Sequence, residues 1–291
     1  MRRSSLSGNF ADALIYLFMI FVIGITLYPF IYVLSMSISN PVYVINNSVW
    51  LYPKGFSLEA YAKVFDNPDV WISYSNTVFY TAVGTAVNIL LTIFAAYPLS
   101  RRGFVLRTPI MFLILFTMFF GGGLIPLFML VNQIGLYDTR WIIILLSAVS
   151  AYYIIIARTF LQGLPESLQE SARIDGANDI VILFKVVIPL SKPILAVLAL
   201  FYAVGHWNSY FNALLFLSSP NLQPISLYLV KVLVQNSGAL MAGMEQDINR
   251  ALFSVQLKYA LIIVTILPIL ILYPFLQKHF VKGVMIGSVK E

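Results

Sequence analysis

Few residues in this chain have the types and spacing that chemistry requires, and most of them lie in one segment. There are two histidines, His206 and His279, and no cysteine. Disulfides, zinc–thiolate sites, iron–sulfur clusters and thiol catalysis are therefore excluded. A membrane-embedded enzyme would need paired carboxylates, clustered histidines or an activated nucleophile, and the two histidines fall in different regions. No GxxxxGK[ST] phosphate loop is present, so the chain is not expected to hydrolyse ATP unaided. The richest polar pattern is Glu166, Glu170 and Arg173, at i, i+4 and i+7, which is one face of a helix. Leu164, Leu168, Ala172 and Ile174 are expected to form its apolar face. Pro165 suits a first turn. Asp175-Gly176 ends the pattern, with Gly176 able to take a left-handed cap. A second amphipathic stretch starts at Asn178, with Ile180, Phe184 and Ile188 at i, i+4 and i+8. Pro189 and Pro193 mark the approach to the next segment. The spacing predicts a short helix–turn–helix over 161–190. Such an element can dock in a groove of a soluble partner or lie on lipid headgroups, and periodicity leaves both open.

A second set mixes aromatic and amide groups: Tyr97, Trp207, Asn208 and Tyr210, with His206 beside them. Aromatic faces and amides suit sugars, but Tyr and Trp are also common at membrane interfaces. His206 is either a hydrogen-bonded neutral imidazole at a helix contact or a polar group lining a cavity. Gly121-Gly122-Gly123 followed by Pro126 weakens a helix by about 1 kcal/mol per glycine and removes a backbone donor. A kink is expected there. Either small residues pack closely at it, or Gly122 belongs to a hinge or a pathway wall.

The elements that must position these residues are membrane spans. The chain has 291 residues, 60% hydrophobic and 10% charged, with a mean hydropathy of +0.87. An average soluble domain is about 25% charged, and a core of this size cannot hide so much apolar surface from water. Long unbroken apolar runs, rather than alternating ten-residue strands, argue against a β-barrel. The expected architecture is an all-α integral membrane protein, a single domain over 1–291 with six transmembrane helices. These lie near 12–38, 72–99, 108–133, 138–160, 191–217 and 256–279. Met1-Arg2-Arg3 resembles the start of a signal peptide. The apolar run behind it is about twice the length of an h-region, however, and no small-residue cleavage site closes it before Pro29, so the first helix is expected to be retained. Loops 1–12, 101–107, 158–192 and 278–291 carry twelve of the 18 Lys and Arg. That bias predicts cytoplasmic termini. The net charge of +6 then reports orientation rather than nucleic-acid binding. No Asp, Glu, Lys or Arg falls mid-span, which argues against a self-sufficient secondary carrier or channel, the alternative function class.

Glu170-Ser171-Ala172-Arg173-Ile174-Asp175-Gly176, followed by Val186-Val187-Ile188-Pro189, resembles the EAA loop of binding-protein-dependent ABC importer permeases. Glu170, Ala172, Gly176 and Pro189 match that pattern. Ser171 departs from its middle alanine, and Val186 and Ile188 are conservative departures. Ala172-Arg173-Ile174-Asp175-Gly176-Ala177 and Trp207-Asn208 are similar to maltose-type sugar permeases. Phe119 to Pro126 and Trp207 to Phe211 are similar to permeases for complex oligosaccharides such as alginate or pectin fragments. The resemblance covers essentially the whole chain. It implies that the cytoplasmic loop is a coupling element seated on an ATPase subunit, with Glu166, Glu170 and their neighbours at the contact. It also implies that the tail, through Met285, Gly287, Ser288 and Lys290, reaches into the ATPase dimer. The implied partners are a second permease subunit, two ATPase subunits that bind the ATP and magnesium, a solute-binding protein above loops 39–70 and 218–255, and an oligosaccharide. The chain itself would carry no cofactor or metal and would sit in the bacterial inner membrane.

Overall fold

The computed structural model describes residues 6–241 and 255–272. Their regular secondary structure is helical, apart from one isolated antiparallel bridge between Ser39 and Phe56. In chain order the helices are α1 (Leu6–Ser37), α2 (Pro41–Ile45), α3 (Glu59–Asp66), α4 (Pro68–Ser100), α5 (Arg107–Phe119), α6 (Leu124–Gln133), α7 (Arg140–Leu146) and α8 (Ala151–Gln162). They continue as α9 (Glu166–Ile174), α10 (Asp179–Leu190), α11 (Lys192–Trp207), α12 (Tyr210–Phe216), α13 (Ile225–Met241) and α14 (Val255–Leu272).

Three stretches are long and apolar enough to cross a bilayer as single helices: Asp12–Ser37, α4 and α14. Three more are bent pairs: α5 with α6 at 112°, α7 with α8 at 54°, and α10 with α11 at 82°. Counting each pair as one span gives up to six. The break between α5 and α6 falls at the expected glycines, where Gly123 has a φ of +82°. Two helices expected to be continuous are not. The fourth span breaks at Ser147–Ser150, which holds neither glycine nor proline. Its two serines compete for backbone hydrogen bonds without disturbing the apolar period. The fifth ends at Trp207 instead of running to 217. Asn208 Nδ2 donates to the Val204 carbonyl (2.9 Å) and Ser209 Oγ to that of His206 (2.7 Å), satisfying the last carbonyls of α11.

The described residues fall into two compact units divided at Pro68, Tyr228 and Leu267. In the unit that begins with α1, Met36, Val44 and Val49 pack with Tyr32, Val255 and Tyr259. Gln256, fully buried, donates to the carbonyls of Ser37 and Ser39 at 3.2 and 2.7 Å, closing the end of α1. In the other unit α4 is the axis. Its buried stripe of Ser73, Thr77, Gly84, Asn88, Thr92 and Ala96 is small or polar, as close helix packing in lipid requires. One core, around Ile93, Ala96, Ala157, Ile182 and Leu198, joins α4 to α8, α10 and α11. The other, around Tyr80, Ile143, Ala213 and Phe216, joins α4 to α7 and α12.

Candidate functional site

The elbow between α9 and α10 is built by local hydrogen bonds. The Ala177 amide donates to the Ala172 carbonyl (2.9 Å) and the Gly176 amide to that of Arg173 (3.0 Å), the paired closure of a Schellman cap. Gly176 stands at a φ of +82°, where a side chain would be strained. Asn178 restarts the chain as a helix by accepting from the Val181 amide at 2.9 Å. Across the elbow Arg173 Nη2 pairs with Asp179 Oδ1 at 2.8 Å. The hydrogen bond and the negative charge of Asp179 hold the Arg173 guanidinium above its ordinary pKa. Leu183–Val187 forms a π turn. It widens the backbone around the Lys185 carbonyl, which the ring of Pro189 would otherwise strike.

The two faces of α9 differ from the expected pattern. Leu164, Gln169 and Ala172 turn inward; Gln169 is buried and the other two pack on the core beneath. Leu168 and Ile174 are exposed, Ile174 at 86%, and so are Ile180 and Phe184 on α10. On this helix of nine residues, Ile174 falls opposite the side that Gln169 and Ala172 share, and Leu168 falls on its flank. Glu166, Glu170, Ser171 and Asp175 are exposed along the elbow, Ala177 is half-buried against the core, and Pro189 is exposed at the end of α10. The elbow thus presents both carboxylates and apolar side chains to its surroundings.

A cavity of about 690 Å³ lies between the elbow and the end of α4, lined by Tyr97, Arg101, Glu166, Glu170, Arg173 and Phe184 among others. The Arg101 guanidinium lies 4.4 Å from the centroid of the Tyr97 ring. Its Nε and Nη2 are enclosed without a hydrogen-bond partner. Burial lowers its pKa from the ordinary arginine value, with Arg173 adding to that direction. Arg102 Nε reaches Glu166 at 3.4 Å, and Arg158 Nε donates to the Leu99 carbonyl at 2.9 Å. Arginines therefore tie the end of α4 both to the elbow and to α8.

The sugar-type candidates do not form one group. Tyr97 is buried at the elbow cavity. His206 packs against Gly84, 13 residues earlier on α4, or roughly 20 Å along the helix. His206 is 3% exposed and Trp207 5%. The Trp207 ring stands edge-on to Tyr74 with centroids 5.7 Å apart. Asn208 is exposed, Tyr210 is 42% exposed, and Gly122 is exposed with open space where a Cβ would lie. The tail candidates Met285, Gly287, Ser288 and Lys290, like His279, lie outside the described residues. Among the described residues no group of three His, Cys, Asp or Glu is placed to hold a metal ion.

Sequence reasoning passed over the partners of His206. Its Nε2 lies 2.6 Å from Asn88 Oδ1, and Asn88 Nδ2 donates to the Ser147 carbonyl in the break of the fourth span. Because the amide nitrogen is used there, Oδ1 faces the imidazole and Nε2 carries the proton. Thr92 Oγ1 and the Tyr202 hydroxyl meet at 2.7 Å. The signal available in the sequence was Gly84, Asn88 and Thr92 at helical spacing inside an apolar run.

Residues 88–286 match the family model described as binding-protein-dependent transport system inner membrane component. Over 279 residues the chain is 42% identical to the polygalacturonan/rhamnogalacturonan transport system permease protein YtcP of Bacillus subtilis (strain 168), covering 96% of this chain and 98% of that protein. It is 40% identical over 285 residues to Protein LplC of the same organism, covering 98% and 96%. Among solved structures it is similar to a chain in the crystal structure of a bacterial ABC transporter involved in the import of the acidic polysaccharide alginate. The TM-score is 0.86 and the identity 35%, with 96% of this chain and 100% of that chain covered.

Proposed function

We propose, for a chain that belongs to the family of binding-protein-dependent transport system inner membrane components, that it forms one transmembrane half of an oligosaccharide importer and receives its driving force through the α9–α10 elbow. The chain is a permease subunit of an ABC importer and is itself non-catalytic. Its other half would be a second, similar permease, and two ATPase subunits holding ATP and magnesium would lie on the cytoplasmic side with both termini. A solute-binding protein would deliver the sugar from the opposite side. The cargo is an oligosaccharide of the kind released from an acidic polysaccharide, a reading that rests on the names of YtcP and of the alginate transporter.

The observation that carries the coupling role is the outward face of the elbow. Glu166, Glu170, Leu168, Ile174 and Ile180 are all exposed, while the Schellman cap holds the elbow's shape and Leu164, Gln169 and Ala172 seat it on the helices beneath. A rigid element with an exposed mixed face can seat in a partner's groove and carry rigid-body motion inward. Closure of the ATPases on ATP would draw two such elements together and rock the spans from inward-open to outward-open. Within the pathway Gly122, Asn208 and Tyr210 are the candidates this structure leaves exposed; Tyr97, His206 and Trp207 serve packing in this state. The test is the double variant Glu170→Lys with Gly176→Pro. Proline cannot adopt φ +82° and removes the amide that donates to Arg173. The expected result is loss of ATPase co-purification and of sugar uptake, with membrane insertion retained. Normal uptake by that variant refutes the coupling role.

A further inference from the structure

The fourth span is broken where no proline or glycine breaks it, and the break is braced from two sides. Asn88 of α4, fully buried, donates to the Ser147 carbonyl, and His206 of α11 holds the other end of the same amide at 2.6 Å. One helical turn along, Thr92 meets the Tyr202 hydroxyl at 2.7 Å, and the Ser150 backbone amide is a further partner of that hydroxyl. Positions 88 and 92, and 202 and 206, are each four apart, so the two rungs stack along the same faces of α4 and α11. None of these side chains is an Asp, Glu, Lys or Arg. In lipid an unpaired backbone group costs several kcal/mol, so a broken helix needs such partners.

These partners make the break exchangeable. Side-chain bonds to Ser147 and Ser150 stand in for bonds the helix would make to itself. A hydrogen bond contributes about 1 kcal/mol net, whichever partner makes it. Trading one set for the other is therefore nearly balanced, and the span can change its bend at small cost. Load reaches this joint from one end only. α8 runs from the break to Gln162, and α9 begins at Glu166, so any movement of the elbow acts on α8 directly. The far end of α7 is pinned. Asp138 accepts from the amides of Ser218 and Ser219, both at 2.9 Å, and Arg140 Nη2 donates to Asn76 Oδ1 at 3.2 Å.

Resting on the importer reading above, we infer that Ser147–Ser150 is the pivot at which the fourth span changes its bend during transport, and that Asn88, braced by His206, is the positioning residue that sets its resting angle. Gly84 belongs to the same device, because a Cβ there would overlap the His206 ring; only glycine lets the imidazole reach Asn88.

The test uses the assembled transporter, with partner permease and ATPase subunits. The chain has no cysteine of its own, so spin labels placed at Trp141→Cys and Thr159→Cys, both exposed positions on α7 and α8, before assembly with the partner subunits report its bend alone. The expected result is a shift in mean label separation between the nucleotide-free complex and the complex trapped with ATP and vanadate. Straightening from 54° corresponds to roughly 3 Å at 1.5 Å per residue. Asn88→Leu should broaden the nucleotide-free distribution and shrink the shift, whereas His206→Gln, which keeps an N–H toward Asn88, should preserve both. If Asn88→Leu does not accumulate, Thr92→Val removes the second rung alone and should broaden the distribution to a lesser degree. An unchanged separation in the two nucleotide states overturns the pivot, and so does a wild-type distribution in Asn88→Leu or, where that variant is not made, in Thr92→Val. Failure of the ATPase subunits to co-purify with the labelled chain would instead sink the importer reading, so the two failures are distinguishable.

Discussion

The α9–α10 elbow and the brace around Ser147–Ser150 are both breaks in helix, made in opposite ways. The elbow closes on itself: its cap bonds, its Asn178 restart and its Arg173–Asp179 pair link residues within six positions of one another. The brace closes on distant helices, joining residues separated by 59 and 118 positions. The first is exposed and charged, the second buried and without Asp, Glu, Lys or Arg. A locally specified turn can be displaced as a unit without losing its shape, which suits a part that receives force. A turn specified from outside holds its shape only while its neighbours stay in place, which suits a part that yields.

Substitutions that act on only one of the two breaks test this contrast. The largest effect is expected from Gly84→Ala. The added methyl overlaps a buried, hydrogen-bonded imidazole, and overpacking of this kind costs about 1–3 kcal/mol. Thermal unfolding in detergent should show a clear drop in midpoint while the ATPase subunits still co-purify. Loss of co-purification without a stability change would place Gly84 with the elbow and blur the contrast.

A smaller effect, confined to acid pH, is expected at the pinned end of α7. Burial pushes the Asp138 carboxyl up, but hydrogen bonds from Ser219 and Ser218 outweigh it and hold the pKa below the ordinary 3.8. A depressed folded-state value stabilises the fold at pH above the unfolded value. That contribution is lost as pH falls through the folded value. Asp138→Asn should therefore flatten the decline in stability below about pH 4, read from unfolding midpoints across pH 3–7. An unaltered profile would remove Asp138 as the anchor of α7.

The smallest effect should come from Arg173→Ala. Both partners of its ion pair are more than half exposed, and such pairs contribute about 0–1 kcal/mol and are screened by salt. The variant should lower the unfolding midpoint slightly in low salt and not at all in high salt. A large, salt-independent loss would mean that the elbow leans on this pair rather than on its backbone cap.

The same local and distant logic decided what could be read from sequence. Pro165, Gly176 and Asn178 act within a turn of themselves, so the helix–turn–helix and its boundaries were legible, as was the break after Gly121-Gly122-Gly123. The inward side of α9 is not legible at Leu168 and Ile174, which the periodicity places on the apolar face and the structure leaves exposed. Periodicity shows that a helix has an apolar face but not which residues will meet a core and which a partner. Ser147–Ser150 was illegible because its serines leave the hydropathy unbroken, and the end of α11 at Trp207 was hidden in the same way by Asn208 and Ser209. For His206 the sequence leaves open a hydrogen-bonded imidazole at a helix contact and a cavity-lining group, since the partners that decide between them, Asn88 and Gly84, lie on another helix.

The amino-acid order alone thus determined the membrane class, the long apolar helices and the capped elbow, because hydropathy and cap chemistry act over one or two turns. Tertiary structure alone decided which polar side chains meet inside the bundle, and therefore where the fourth span bends. Such pairings depend on how helices far apart in the chain come to lie side by side.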